Sequence, residues 1–225
     1  MAVTFDSVFQ QLKKNQYSPV YFLQGEETYF IDRISDYIEE NALEESQKGF
    51  NQIIIYGKDS EVSTVVNNAR RFPMMSERQV VIVKEAQEVK DLNNEKGSSL
   101  LINYLQNPQP STILVFCHKY KTIDKRKKLG KIIESSSVNL ITKKMYDNQI
   151  PDFVKSYFGE KDFEATQKAI QMISDSIGNN LTRITNEVDK LLTNFHEKIK
   201  IEDFHVNKYI GISKEYYVFE LQKAL

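Results

Sequence analysis

A chain of 225 residues, 40% hydrophobic and 27% charged, has the composition of an ordinary globular protein, with room for one large domain or two modest ones. Its formal net charge of -1 excludes a globally basic nucleic-acid binder and leaves room for a local basic patch. The single cysteine, Cys117, excludes an internal disulfide and a cysteine-based zinc site, the pattern of a cytosolic protein. The opening Met1-Ala2-Val3-Thr4-Phe5-Asp6 lacks the basic-then-apolar pattern of a signal peptide, and no window reads as a membrane span.

Thr4 to Lys14 reads as an amphipathic helix with Thr4 as N-cap and Phe5, Val8, Phe9 and Leu12 as its apolar stripe. Pro19 to Leu23 reads as a buried strand ending at Gln24-Gly25. Thr28 to Leu43 follows as a helix with Tyr29, Phe30, Ile34, Tyr37 and Ile38 inward. Ile53 to Tyr56 is the next strand, closed by Gly57, and Ser60 to Arg71 a helix with Ser60 as N-cap. Then come the strand Val80 to Val83, the helix Ser98 to Leu105, the strand Thr112 to Cys117, the helix Ile123 to Ile133 and a last strand, Val138 to Ile141. Continuous apolar strands separated by helices are the signature of a parallel sheet covered on both faces.

After Thr142 the pattern turns helical: Asn148 to Phe158, Phe163 to Ser176, Asn180 to Phe195 and Ile201 to Lys208, with Gly159 and Gly178 as helix ends. The expected organisation is an α/β domain over 1–143, a small all-α helical lid over 144–211, and the start of a further helix over 212–225, patterned on Tyr217, Leu221 and Leu225.

The most informative stretch is Arg70-Arg71-Phe72-Pro73-Met74-Met75-Ser76-Glu77-Arg78-Gln79. Pro73 must end the preceding helix, because it lacks an N–H and disfavours helical geometry at Phe72. The apolar residues Phe72, Pro73, Met74 and Met75 therefore fall at a corner just before a strand. Two adjacent methionines there suit a pocket on another protein, since methionine is flexible, polarizable and adaptable. The competing reading folds Phe72 and Met74 under the sheet as ordinary core.

An α/β domain followed by a helical one is the layout of many nucleotide-driven switches. Such switches need a glycine-rich loop ending Gly-Lys-Ser/Thr, an acidic residue that holds magnesium, and an arginine aimed at the transferring phosphate. The corresponding loop here, Gln24-Gly25-Glu26-Glu27-Thr28-Tyr29, has one glycine, no lysine and two carboxylates where a phosphate would sit. The strand Val80 to Val83 continues into Lys84-Glu85-Ala86, with lysine where the metal ligand would be wanted. His118, His196 and His205 have no ligand spacing, and neither Gly-x-Ser-x-Gly nor His-Glu-x-x-His occurs. No catalytic residue, metal ligand or cofactor is assigned, and Gly25, Glu26, Glu27 and Thr28 are read as a degenerate nucleotide loop.

Between residues 119 and 131 seven Lys or Arg stand against Asp124 alone. Lys119, Lys121, Lys125, Arg126, Lys127 and Lys128 are the candidates for DNA-phosphate contact. A solvated helix face is the alternative.

Four segments in order carry a resemblance. They are Pro19-Val20-Tyr21-Phe22-Leu23-Gln24-Gly25-Glu26-Glu27-Thr28-Tyr29, Phe72-Pro73-Met74-Met75-Ser76-Glu77-Arg78-Gln79-Val80-Val81 and Asp124-Lys125-Arg126-Lys127-Lys128-Leu129. The fourth is Gly178-Asn179-Asn180-Leu181 with Asn186-Glu187-Val188-Asp189-Lys190-Leu191. With them, nearly the whole chain resembles the delta-subunit family of bacterial DNA polymerase III clamp loaders. The resemblance implies an AAA+-like domain without a working nucleotide site, a helical lid, and the start of a collar domain at 212–225. It implies no ATP hydrolysis by this chain, which would be a cytoplasmic, replisome-associated subunit of the DNA-directed DNA polymerase III holoenzyme. Its partners would be the beta sliding clamp, ATPase-type and delta-prime-type loader subunits and primed DNA within the complex, with no membrane. By register on Arg78-Gln79, Met74 and Met75 would be the two apolar residues that enter a pocket on the clamp, where family members often carry leucine and phenylalanine. Two alternatives remain: a nucleotide-binding AAA+ switch, and a DNA-binding module working through Lys119 to Lys131.

Overall fold

The computed structural model describes residues 3–210. The chain divides into two units, Met1–Lys143 and Lys144–Leu225.

The first unit is built on five parallel strands in the order β2-β3-β4-β1-β5. They are β1 (Val20–Gly25), β2 (Gln52–Tyr56), β3 (Gln79–Lys84), β4 (Thr112–Lys119) and β5 (Val138–Thr142). The three inner strands are buried almost throughout, because helices cover both faces. Alternation along each strand assigns its side chains to two cores. Phe22, Val81, Val83, Leu114 and Phe116 pack against α4 (Val62–Ala69), α5 (Glu95–Gln106) and α6 (Lys128–Ser136). Tyr21, Leu23, Val80, Ile82, Ile113, Val115 and Cys117 pack with α1 (Phe5–Lys13) and α2 (Thr28–Asn41). This is the α/β architecture expected from the strand pattern.

Local chemistry explains where the element ends differ from expectation. Thr4 caps α1 as expected, in a reciprocal box with Ser7. Ser60 does not cap α4. Glu61 holds that position without a side-chain cap bond, and Asp91, remote in sequence, accepts the Val62 amide at 2.7 Å instead. A short helix not anticipated from the sequence, α3 (Glu45–Asn51), leads directly into β2. The helix expected over Ile123 to Ile133 begins only at Lys128, because Asp124 folds the preceding residues into a turn by accepting the Arg126 amide on its side chain at 2.9 Å and the Lys127 amide on its carbonyl at 3.1 Å. His118, expected after a strand, lies within β4.

The second unit carries α7 (Ile150–Glu160), α8 (Gln167–Ile177), α9 (Leu181–Leu192) and α10 (Asp203–Tyr209). Contrary to the expectation that strands stop after Thr142, β6 (Glu164–Ala165) and β7 (Lys200–Ile201) pair in parallel as a two-residue bridge. Gly178 ends α8 at φ 71, whereas Gly159 stays inside α7 and Asp162 takes the left-handed turn at φ 58. Asn180 caps α9 by accepting the Arg183 amide at 3.0 Å. The helix expected over 212–225 lies outside the described residues.

Candidate functional site

In a parallel sheet every strand starts at one edge and ends at the other, so the sequence positions sort into two groups. The α4–β3 connection, the end of α3 and the start of β4 share the edge where strands begin. Gly25, at the end of β1, and Lys119, at the end of β4, lie at the opposite edge. Residues 79 to 84 of β3 span about 17 Å between them.

At the first edge the chain leaves α4 at Ala69, four residues before Pro73, so the helix ends earlier than Pro73 alone requires. Phe72 is 77% exposed, Met74 54% and Met75 fully exposed, in the left-handed region at φ 53. The core placement of Phe72 and Met74 is therefore not what the chain adopts.

Buried amides hold this exposed tip. Asn51, the last residue of α3, is 1% exposed; its Oδ1 accepts the Met74 amide at 2.6 Å and its Nδ2 donates to the Met74 carbonyl at 2.9 Å and the Gln47 carbonyl at 3.1 Å. Gln79, also buried, shares its Nε2 hydrogens among the carbonyls of Asn68, Ala69 and Arg71 and the Thr112 hydroxyl. A helix end leaves its last carbonyls short of amide donors; here the Asn68 carbonyl also accepts the Arg71 amide at 3.2 Å. Ser76 folds the return, accepting the Arg78 amide and donating to its carbonyl, and the Arg78 guanidinium sits 5.1 Å from the centre of the Tyr17 ring. Sequence reasoning named the apolar tip but missed Asn51 and Gln79. The bare signal for each was a polar side chain at the boundary of an apolar strand.

At the opposite edge, Gly25 has φ 135, and a Cβ there would fall on the Thr142 carbonyl oxygen. The Glu26 amide donates to that same oxygen at 3.1 Å, and the Tyr120 amide to the Gly25 carbonyl at 2.8 Å. Thr28 opens α2, and the buried Glu27 carboxylate caps the helix by accepting the Tyr29 amide at 3.3 Å. A carboxylate thus occupies the amide-bearing end of α2, where a phosphate would otherwise be welcome.

The six basic candidates separate. The Lys119 ammonium contacts Asp32 at 2.9 Å and Glu85 at 3.0 Å. Burial by itself would lower its proton affinity, but the hydrogen bonds it donates to Asp32 and Glu85 outweigh that and hold it above the ordinary lysine range. Lys125 pairs with Glu134 at 3.7 Å, and Arg126 with Asp124 at 2.9 Å, which brings the Asp124 carboxyl down to about 2. Lys121, Lys127 and Lys128 have no carboxylate partner among the described residues. They line one open cavity of about 490 Å³ with His118, Ser98 and Ser99.

His118 is 3% exposed, and its Nδ1 donates to the Lys121 carbonyl at 2.9 Å. Burial pushes its proton affinity below the ordinary histidine range even though that bond opposes the shift. Burial likewise raises the Cys117 thiol to about 12, which makes it an inert core residue. Lys84, at the end of β3, pairs with Glu39 at 2.8 Å. Among the described residues no group of three or more His, Cys, Asp or Glu side chains is placed to hold a metal, and no helix is long and apolar enough to cross a membrane.

A family model described as DNA polymerase III, delta subunit, matches residues 21–144. The DNA polymerase III subunit delta of Bacillus subtilis (strain 168) is 28% identical over 223 residues, which cover 97% of this chain and 64% of that protein. The structure of the Bacillus subtilis DNA clamp loader delta protein aligns with a TM-score of 0.79 and 26% identity, over 96% of this chain and 65% of its own. The Thermotoga maritima RuvB Holliday junction branch migration motor aligns at a TM-score of only 0.45 and 13% identity, over 96% of this chain and 68% of its own. The chain thus spans just under two thirds of the length of the two delta proteins it matches.

Proposed function

This chain belongs to the DNA polymerase III delta-subunit family, and on that premise we propose that it binds and opens the beta sliding clamp as part of a bacterial clamp loader. The observation that carries this reading is the apolar tip. Phe72, Met74 and Met75 stand in solvent on a backbone fixed by buried amides. Exposing three large apolar side chains has no benefit to the isolated fold, and it suits a pocket on a partner. Met74 and Met75 are the anchors, and Phe72 and Pro73 set their presentation.

The role is mechanical. Docking favours the clamp conformation with a relaxed ring interface, and the ring springs open. ATPase-type and delta-prime-type subunits of the loader control when the tip is available, and primed DNA is the substrate of the assembly. Glu27 at the head of α2 supports a chain that hydrolyses no ATP of its own, because its carboxylate opposes a phosphate at that helix end.

Calorimetry of the chain with its cognate sliding clamp, without nucleotide, tests this. Burying two methionine side chains is worth ~3–6 kcal/mol. Met74→Ala with Met75→Ala should therefore weaken binding by at least about a hundredfold while leaving the fold intact. Equal affinity in a folded double variant overturns the assignment of the tip.

A further inference from the structure

We propose that Asn51 is the positioning residue of the docking tip, holding the Met74 backbone in its docking conformation before any partner arrives. The inference rests on the clamp-docking reading above and deepens it.

The geometry is that of a strand bridge made by one side chain. The Asn51 amide accepts from the Met74 N–H at 2.6 Å and donates to the Met74 carbonyl at 2.9 Å, so both backbone groups of one residue are read at once. Its second Nδ2 hydrogen goes to the Gln47 carbonyl at 3.1 Å, one turn back in α3, which fixes the amide plane. A primary amide presents an acceptor and a donor side by side; an aspartate would turn an oxygen toward the Met74 carbonyl, and an alanine would reach neither group. The Asn51 side chain is buried while the residue it grips is half in solvent, so a core element specifies a surface conformation.

The tip has little else to hold it. Phe72 and Met75 are exposed, and Met75 adopts a left-handed backbone that side chains other than glycine, Asn and Asp seldom take. Gln79 holds the Arg71 carbonyl, so the short run from Arg71 to Met74 is anchored at both ends. Pro73 removes a further torsion within it. A tip held this way docks without first being ordered, whereas a mobile one binds more weakly by the fraction of time it is competent.

The test compares wild type, Asn51→Ala and Met74→Ala/Met75→Ala for amide exchange across residues 72–77 and for association and dissociation rates with the sliding clamp. In the wild type the Met74 amide should exchange more slowly than the Met75 amide, and no such difference overturns the proposal without any partner present. Asn51→Ala should speed exchange within the tip and slow association about tenfold, the reduction expected when the competent state falls to about one tenth, with dissociation little changed. A merely structural role would lower the melting temperature and leave the association rate of the folded fraction as it was. If Asn51→Ala does not fold, Asn51→Asp keeps the acceptor and reverses the donor, and the same slowed association is expected. Wild-type rates in a folded Asn51 variant, with binding still lost in the double methionine variant, overturn the positioning role and leave the docking reading standing. A wild-type chain that does not bind the clamp removes both.

Discussion

The Gln79 amide donates to the Thr112 hydroxyl at 2.8 Å, and that hydroxyl donates in turn to the Ala69 carbonyl, also at 2.8 Å. One buried relay therefore ties the first residues of two neighbouring strands to the last turn of α4. The Tyr104 hydroxyl approaches the same carbonyl at 3.4 Å. The apolar tip leaves the fold from this point, so its base is part of the core.

Removing the relay should cost stability without touching the exposed side chains. Gln79→Leu takes its donor from the Arg71 carbonyl and breaks the link to Thr112, and Thr112→Val removes the hydroxyl at nearly constant volume. Each is expected to lower the unfolding free energy by about 1–3 kcal/mol, read by urea denaturation. Because the two side chains share one network, the double variant should lose less than the sum of the singles. Strict additivity, or a loss within the ordinary surface range of about 0.5 kcal/mol, would show that the relay is not a unit.

The strands were legible because Val80, Val81, Ile82 and Val83, or Thr112 through Cys117, are apolar runs that only a two-sided parallel sheet explains. Exposure of the tip was legible from Pro73 and the paired methionines. What held the tip was not. Asn51 ends a helix of seven residues, too short for a periodic pattern to declare itself, and its partner lies 23 residues away. The cap on Val62 failed for the same reason, since Asp91 comes from another segment and Ser60 was the local candidate. The helix expected from Ile123 was started too early because its apolar pattern does not register Asp124, whose side chain begins a turn and delays α6 to Lys128. Side-chain pairing with backbone groups is the common element in these misses, across 23 and 29 residues at Asn51 and Asp91 and within one turn at Asp124, and it has no period.

Pairing also decides which cations can reach a phosphate. Lys119 is held between Asp32 and Glu85 with its side chain 15% exposed, while Lys121, Lys127 and Lys128 are exposed beside one cavity. Any binding of duplex DNA by the chain should therefore depend on the second group. Lys127→Ala with Lys128→Ala is expected to reduce the slope of log K against log salt by about 1.8, or roughly 0.9 for each phosphate no longer neutralised. Lys119→Met should leave that slope unchanged. A fall in slope for Lys119→Met, or none for the double variant, would reverse the assignment.

His118 supplies a pH dependence whose sign follows from its burial. Its proton affinity in the folded chain lies below the ordinary value of 6.5, because the buried imidazole resists charge. As the pH falls through and below that value, the unfolded chain takes up a proton that the folded chain does not, so stability declines on the acid side. Glu85 adds a separate loss further into acid. Burial alone would raise its carboxyl, but hydrogen bonds from Lys119 and Gln87 bring it below 4.5, and its contribution fades as the pH falls through that lower value. The two windows can be told apart by position. Between pH 7.5 and 5.5 the wild-type chain should lose stability with a slope of at most about 1.4 kcal/mol per pH unit for one proton. His118→Gln cannot titrate there, so its slope should be shallower by the His118 share whatever its stability at pH 7.5. Parallel profiles for the two proteins would place the titrating group elsewhere.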